Sequence, residues 1–171
     1  MLAVLSDPLQ PFTKQTIPGG PAGVKATLRL MSANAKRGKV HQAVYMKART
    51  LTRALSQKDK RSEIAALHAF VRDHIRYVAD PIGVEFLQTA DKTLAIGSGD
   101  CDDKSTLLGA LLESIGYATR FCAIGYKKGS FSHVYPQVSI GDDKWLTLET
   151  TENWPVGREP PRPVELMRIK N

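Results

Sequence analysis

The chain has 171 residues, 42% of them hydrophobic and 24% charged, with 24 Lys and Arg against 17 Asp and Glu and a formal net charge of +7. Such a chain is expected to form one globular domain with a core that needs no disulfide or metal staple. Membrane insertion and secretion are excluded on expectation: no apolar run nears roughly 20 residues, MLAVLSDPLQPF lacks a basic start and is interrupted by Asp7, Pro8 and Pro11, and two cysteines suit a reducing, cytoplasmic setting.

Residues 1–24 contain Pro8, Pro11, Pro18 and Pro21 with Gly19, Gly20 and Gly23, and read as an extended arm on the core or against a partner. Residues 25–58 form a basic helical part. Residues 1–61 hold twelve Lys and Arg against Asp7 and Asp59, a surplus of ten, while the remainder carries a deficit of three. A helix is predicted over 39–56, with Val40, Val44, Ala48, Leu51 and Leu55 on one face, and another over about 62–78, with Ile64, Leu67, Val71, Ile75 and Val78 together. The two pack as a hairpin joined by SQKDKR. A basic face of this kind attracts nucleic acid or acidic protein surfaces. No aromatic platform or base-reading motif accompanies it, so a solvated face is the simpler reading.

The segment GSGDCDDKSTLLGALLESIG, residues 97–116, carries the most information. Leu107, Leu108, Leu111, Leu112 and Ile115 share one helical face, Gly116 supplies a left-handed stop, and Asp100 is a good N-cap. Cys101 then stands at the first helical position, where the dipole favours an anion. A thiolate is the nucleophilic form of cysteine, and helix N-termini stabilise it. Burial as an inert core residue is the ordinary fate of a lone cysteine, but Asp100, Asp102 and Asp103 resist burial without partners. The same carboxylates oppose thiolate formation, so the helix terminus and a protonated histidine must outweigh them. Cys122, inside RFCAIGY, reads as core, with a disulfide to Cys101 as the alternative.

After Gly116 the period changes to that of strands. Residues 117–126, 132–140 and 144–151 read as β segments separated by KKGS at 127–130 and by Gly141, Asp142 and Asp143. His133, Tyr135, Gln137 and Ser139 share a face of the second strand, and Trp145, Thr147 and Glu149 share one of the third. A tight hairpin centred near residue 142 places Glu149 opposite position 135, two residues from His133 and on its face. Cys101, His133 and Glu149 are therefore the candidate nucleophile, base and orienting acid. No internal repeat is present.

The order of GDCDDKSTLLGALLESIGYATRFC, FSHVYPQV and WLTLETT, preceded by FVRDHIRYVADP, resembles the transglutaminase-like cysteine peptidase superfamily over about residues 60–155. The resemblance implies an α+β fold with a papain-like, transglutaminase-like core: N-terminal helices, then a nucleophile-bearing helix packed on an antiparallel sheet. It assigns Cys101 as nucleophile, His133 as general base and Glu149 as third member, with Trp145 four residues before the acid as in the family pattern. The departure is Glu149, where the family usually has Asp, and Glu152 is the substitute weighed against it. IPGGPAGVKATLRLM and DPIGVEFLQTADKTL are also similar to small bacteriophage or prophage members, implying host cytoplasm or virion as the location.

The expected reaction is thiol-dependent acyl transfer on a peptide or protein amide, with hydrolysis favoured over transamidation because water needs no second binding site. The Cys101 backbone N–H is the expected first oxyanion donor, with Gln88 and Tyr77 as candidates for the second. Trp145 and Tyr135 are expected at the substrate groove. No cofactor is expected; the alternative is calcium on Asp100, Asp102 and Asp103, since some calcium-dependent bacterial members of the superfamily are similar in carrying acids around the cysteine, although capping accounts for these acids more simply. Zinc lacks a close ligand pair here. The expected partner is a peptide or protein substrate and not a membrane. The rival function is a non-catalytic assembly or adaptor protein of a phage particle, and the third is nucleic-acid binding through the basic N-terminal part. The organisation expected is a single domain: arm 1–24, basic helices 25–58, catalytic core 60–155 and Pro-rich tail 156–171.

Overall fold

The computed structural model describes residues 12–13, 19–55, 59–81 and 86–171. Its elements, in chain order, are β1 (Phe12–Thr13), α1 (Gly20–Gly38), α2 (Gln42–Thr52), α3 (Lys60–His74), β2 (Arg76–Tyr77), β3 (Leu87–Gln88), α4 (Ala90–Ile96), β4 (Ser98–Gly99), α5 (Cys101–Ser114), β5 (Thr119–Gly125), β6 (His133–Gly141), β7 (Lys144–Thr147) and β8 (Glu165–Lys170). Strands β7, β6, β5 and β8 form an antiparallel sheet in that order, β1 pairs antiparallel with β3, and β2 pairs parallel with β4. Among the described residues no helix is long and apolar enough to cross a membrane.

The helices bury stripes that their sequences dictate. Leu28, Met31 and Ala35 of α1, Val44 and Ala48 of α2, and Ile64, Leu67 and Val71 of α3 are all buried at three- or four-residue spacing. Asp59 caps α3 by accepting from the Ser62 N–H at 3.2 Å and its hydroxyl at 2.6 Å. Helix α5 departs from the one-sided pattern expected of it. Lys104, Ser105 and Thr106 are buried along with Leu107, Leu108, Leu111 and Leu112, because the other helices pack on one side and the sheet on the other. Ser105 Oγ donates to the Val134 carbonyl at 3.3 Å and ties the helix to β6. Burying a leucine side chain contributes about 1.5–3 kcal/mol, so the four leucines make α5 the anchor of the core.

Gly38 shows how closely the helices approach. A Cβ there would lie 2.6 Å from that of Ala90 and 3.0 Å from that of Ala110, so α1, α4 and α5 meet where no side chain fits. The β6–β7 hairpin turns through Asp142 and Asp143, with φ of 50° and 54°, the two positive values a type I′ turn requires. Gln137 pairs with Thr147 and Val138 with Leu146. The Leu148 N–H donates to the Pro136 carbonyl at 3.0 Å, carrying the ladder one residue past β7. Glu149 follows directly, and its carboxylate meets His133 of β6.

Four expectations need correction. Residues 20–24 are helical rather than extended; residues 1–11 and 14–18 of the expected arm lie outside the described residues. The helix predicted over 39–56 is only Gln42–Thr52, and Val40, just before its cap, is 78% exposed. The helix predicted to reach residue 78 stops at His74, because the Arg76 and Val78 N–H groups donate to Gly97 and Gly99 carbonyls instead of to the preceding turn. Residues 156–171, expected as a Pro-rich tail, end in regular structure: Glu165–Lys170 is the edge strand paired with β5.

Candidate active site

Two local features set the position of Cys101. Strand β4 runs parallel to β2, pairing Gly99 with Tyr77, and so fixes the backbone that enters α5. Asp100 then caps the helix, its Oδ1 accepting from the Asp102 and Asp103 N–H groups at 3.2 and 3.3 Å. Cys101 follows at the first helical position, half-buried, at the positive end of a helix of 14 residues. Cys101 and Cys122 form no disulfide: Cys122 is buried on β5, where its thiol donates to Gln137 Oε1 at 3.3 Å and burial pushes its pKa up to about 11.

His133 opens β6 and is tied by Nε2 to Glu149 Oε2 at 2.5 Å. The carboxylate is held at its other oxygen too, because the Thr151 N–H and hydroxyl both donate to Oε1 at 2.7 Å. Burial would raise the Glu149 carboxyl, but its bonds with His133 and Thr151 and the charge of His133 outweigh that and lower it. Glu149 is 2% exposed, whereas Glu152 is exposed to solvent. Cys101 and His133 line one cavity of about 360 Å³, together with Asp100, Asp102, Ala123, Phe131 and Val134. The start of α1 lines it too, with Gly20, Gly23, Val24, Thr27 and Leu28.

Gln88 is corrected as an oxyanion candidate. Its side-chain amide donates to Asp103 Oδ2 at 2.7 Å and to the Ser98 carbonyl at 3.3 Å, which uses both amide hydrogens. With its backbone N–H also donating to Asp103 Oδ1 at 2.7 Å, Gln88 braces the first turn of α5. Burial lifts the Asp103 carboxyl to about 7, against these bonds that pull it down. Asp103 therefore does not complete an acidic trio with Asp100 and Asp102; the group whose ligand atoms lie within 4.8 Å of one another is Asp100, Cys101 and Asp102. The soft sulfur in that set is a poor match for the oxygen donors calcium selects.

Tyr77 is 49% exposed. Its phenol is shifted upward, by partial burial first and then by the charges of Cys101 and Asp100.

Trp145 and Tyr135, expected at the groove, are not among the cavity-lining residues. Trp145 pairs with Ser139, six residues along β6 from His133, or about 20 Å at strand spacing. Its ring carries the Arg120 guanidinium at 4.2 Å. Tyr135 is buried next to His133, with ring centroids 6.2 Å apart, and backs the imidazole.

Three residues around Glu149 escaped sequence reasoning, His68 and Lys104 buried and Thr151 partly so. His68 Nε2 donates to the Glu149 backbone carbonyl, and burial lowers the pKa of its ring, favouring the neutral form. Lys104 Nζ donates to the Ile75 carbonyl at 2.7 Å and the Arg72 carbonyl at 3.3 Å, closing the C-terminal end of α3. Thr151 was signalled only by its place two residues after Glu149, the spacing of a side-chain-to-backbone turn. The cavity wall at the start of α1 had no local signal at all.

A cysteine-bearing helix buried against an antiparallel sheet, with a histidine on one strand and a carboxylate just past the end of the next, defines an α+β fold of the papain-like, transglutaminase-like class. Residues 48–150 match the core of the Transglutaminase-like superfamily, and the chain belongs to that superfamily. No curated protein matches it. Among solved structures, a candidate protease from Parabacteroides distasonis ATCC 8503 superposes with a TM-score of 0.59 at 15% identity, over 77% of this chain and 26% of that one. Calcium-bound LapG of Legionella pneumophila gives 0.58 at 16% identity, over 80% of this chain and 83% of that one. A candidate cysteine protease from Cytophaga hutchinsonii gives 0.53 at 17%, over 75% and 46%. The chain thus spans about a quarter of the Parabacteroides protein and under half of the Cytophaga protein, and at these identities the likeness is one of fold.

Proposed function

We propose that the chain is a cysteine peptidase-type enzyme that cleaves a peptide or protein amide through Cys101, His133 and Glu149. One observation carries this reading: a cysteine at a helix N-terminus and a histidine anchored to a buried carboxylate line the same cavity. Because His133 Nε2 is engaged by Glu149, Nδ1 is the nitrogen left to take the thiol proton. Cys101 Sγ then attacks the carbonyl carbon, and the positive end of α5 stabilises the charge that develops on oxygen. Collapse of the tetrahedral adduct breaks the C–N bond, and His133 returns the proton to the leaving amine. Water activated by the same imidazole hydrolyses the thioester and restores the thiol. Glu149 fixes the imidazole tautomer throughout and stabilises the imidazolium.

The test incubates the protein, and separately Cys101→Ala, with a peptide library prepared from a bacterial proteome, with and without biotin-cadaverine as an amine acceptor. New N-termini produced by the wild type and absent with Cys101→Ala are the expected outcome. Biotin incorporation dependent on Cys101 would make transamidation the reaction instead. Identical product sets from the two proteins would overturn the catalytic role.

A further inference from the structure

Glu149 stands past the end of β7, yet it must hold one carboxylate oxygen against a ring on the neighbouring strand. Three contacts around it determine how. The Leu148 N–H, on the ladder with Pro136, fixes the residue before it. The Glu149 carbonyl accepts from His68 Nε2, reaching across 81 residues from α3. Its Oε1 accepts from both the N–H and the hydroxyl of Thr151, each at 2.7 Å, which leaves Oε2 to face His133.

We propose that Thr151 and His68 are positioning residues for the His133–Glu149 pair, Thr151 holding the carboxylate through Oε1 and His68 holding the Glu149 backbone through its carbonyl. The inference rests on the triad reading of Cys101, His133 and Glu149. A glutamate has one more rotatable bond than an aspartate, and two donors on one oxygen remove the freedom that bond adds. His68 serves with its proton on Nε2, and its engagement with a carbonyl removes that nitrogen from proton transfer. The titratable and charged groups facing Glu149 are His133 and Tyr135 from β6, His68 from α3 and Lys104 from α5.

The readout is the rate at which iodoacetamide alkylates Cys101 as a function of pH, followed by peptide mapping, with thermal melts alongside. This reaction needs the cysteine–histidine pair but no substrate. Thr151→Val should lower the rate near neutral pH roughly tenfold, the effect of losing one charge-assisted hydrogen bond, and should move the alkaline limb of the profile to lower pH. Thr151→Ser, which keeps the hydroxyl, should restore both. His68→Phe should act like Thr151→Val, while His68→Gln, which can place a donor near the Nε2 position, should stay close to wild type. If Glu149→Gln leaves the profile unchanged, the triad reading itself fails. If Glu149→Gln shifts the profile but Thr151→Val and His68→Phe do not, the positioning proposal alone is overturned. Should His68→Phe fail to fold, the Thr151 series decides.

Discussion

The two cysteines lie in opposite electrostatic settings although only 21 positions separate them in the chain. Cys101 is half-buried, lines a cavity that His133 also lines, and stands at the positive end of a helix. Cys122 is buried in the sheet with its pKa pushed up to about 11, so at neutral pH it is protonated as well as inaccessible. Iodoacetamide at near-neutral pH should therefore label Cys101 at least roughly tenfold faster than Cys122, since only the thiolate reacts. Peptide mapping of a time course checks this, and equal labelling would remove Cys101 from the role of nucleophile. The acid shows the same dependence on setting. Glu149 and Glu152 are three residues apart, yet one is buried with every carboxylate oxygen bonded and the other faces solvent.

At the scale of elements, α5 joins the site to the core, and its environment has little slack. Helices α1 and α4 press on it around Gly38, where even a methyl group would fall 2.6 Å from Ala90 and 3.0 Å from Ala110. Gly38→Val is expected to destabilise the fold by about 1–3 kcal/mol through overpacking, read as a lower urea midpoint at unchanged slope. A midpoint equal to wild type would mean that the helices separate without cost. Because α1 also supplies a wall of the cavity, the same substitution should slow Cys101 alkylation only in proportion to the unfolded fraction if the strain stays local. The short β2–β4 pair is the other joint, since it aligns Gly99, two residues before Cys101, with the end of α3.

At the scale of the molecule, two buried carboxyls give stability opposite dependences on pH. Asp103 is raised from 3.8 to about 7, chiefly by burial, so the folded state keeps a proton that the unfolded chain has released. Its contribution is full below the unfolded value and is lost as pH rises through about 7. Glu149 is lowered, so its contribution is present above its unfolded value of 4.5 and is lost as pH falls through the lower folded one. Thermal melts should show stability falling as pH rises from about 4 to 7, and Asp103→Asn should flatten that slope. An unchanged slope in the variant would assign it to other groups.

What the sequence determined by itself is local. The cap at Asp100, the leucine period and the stop at Gly116, with φ 97°, specify where α5 starts and ends, and hence that Cys101 stands at its first position. The Asp142–Asp143 turn specifies where the β6–β7 hairpin closes, while a one-residue shift of the ladder between Ser139 and Gly141 sets the alignment that brings Glu149 to the His133 face. The tertiary structure alone decided what depends on distant contacts. It ends α3 at His74 by pairing β2 with β4, turns the Pro-rich tail into the edge strand β8, commits Gln88 to Asp103, and carries Trp145 away from the cavity. It also brings His68 to the Glu149 carbonyl across 81 residues and Lys104 to the end of α3. No periodicity or cap encodes these pairings, since each takes its energy from groups that become neighbours only once the core around α5 has closed.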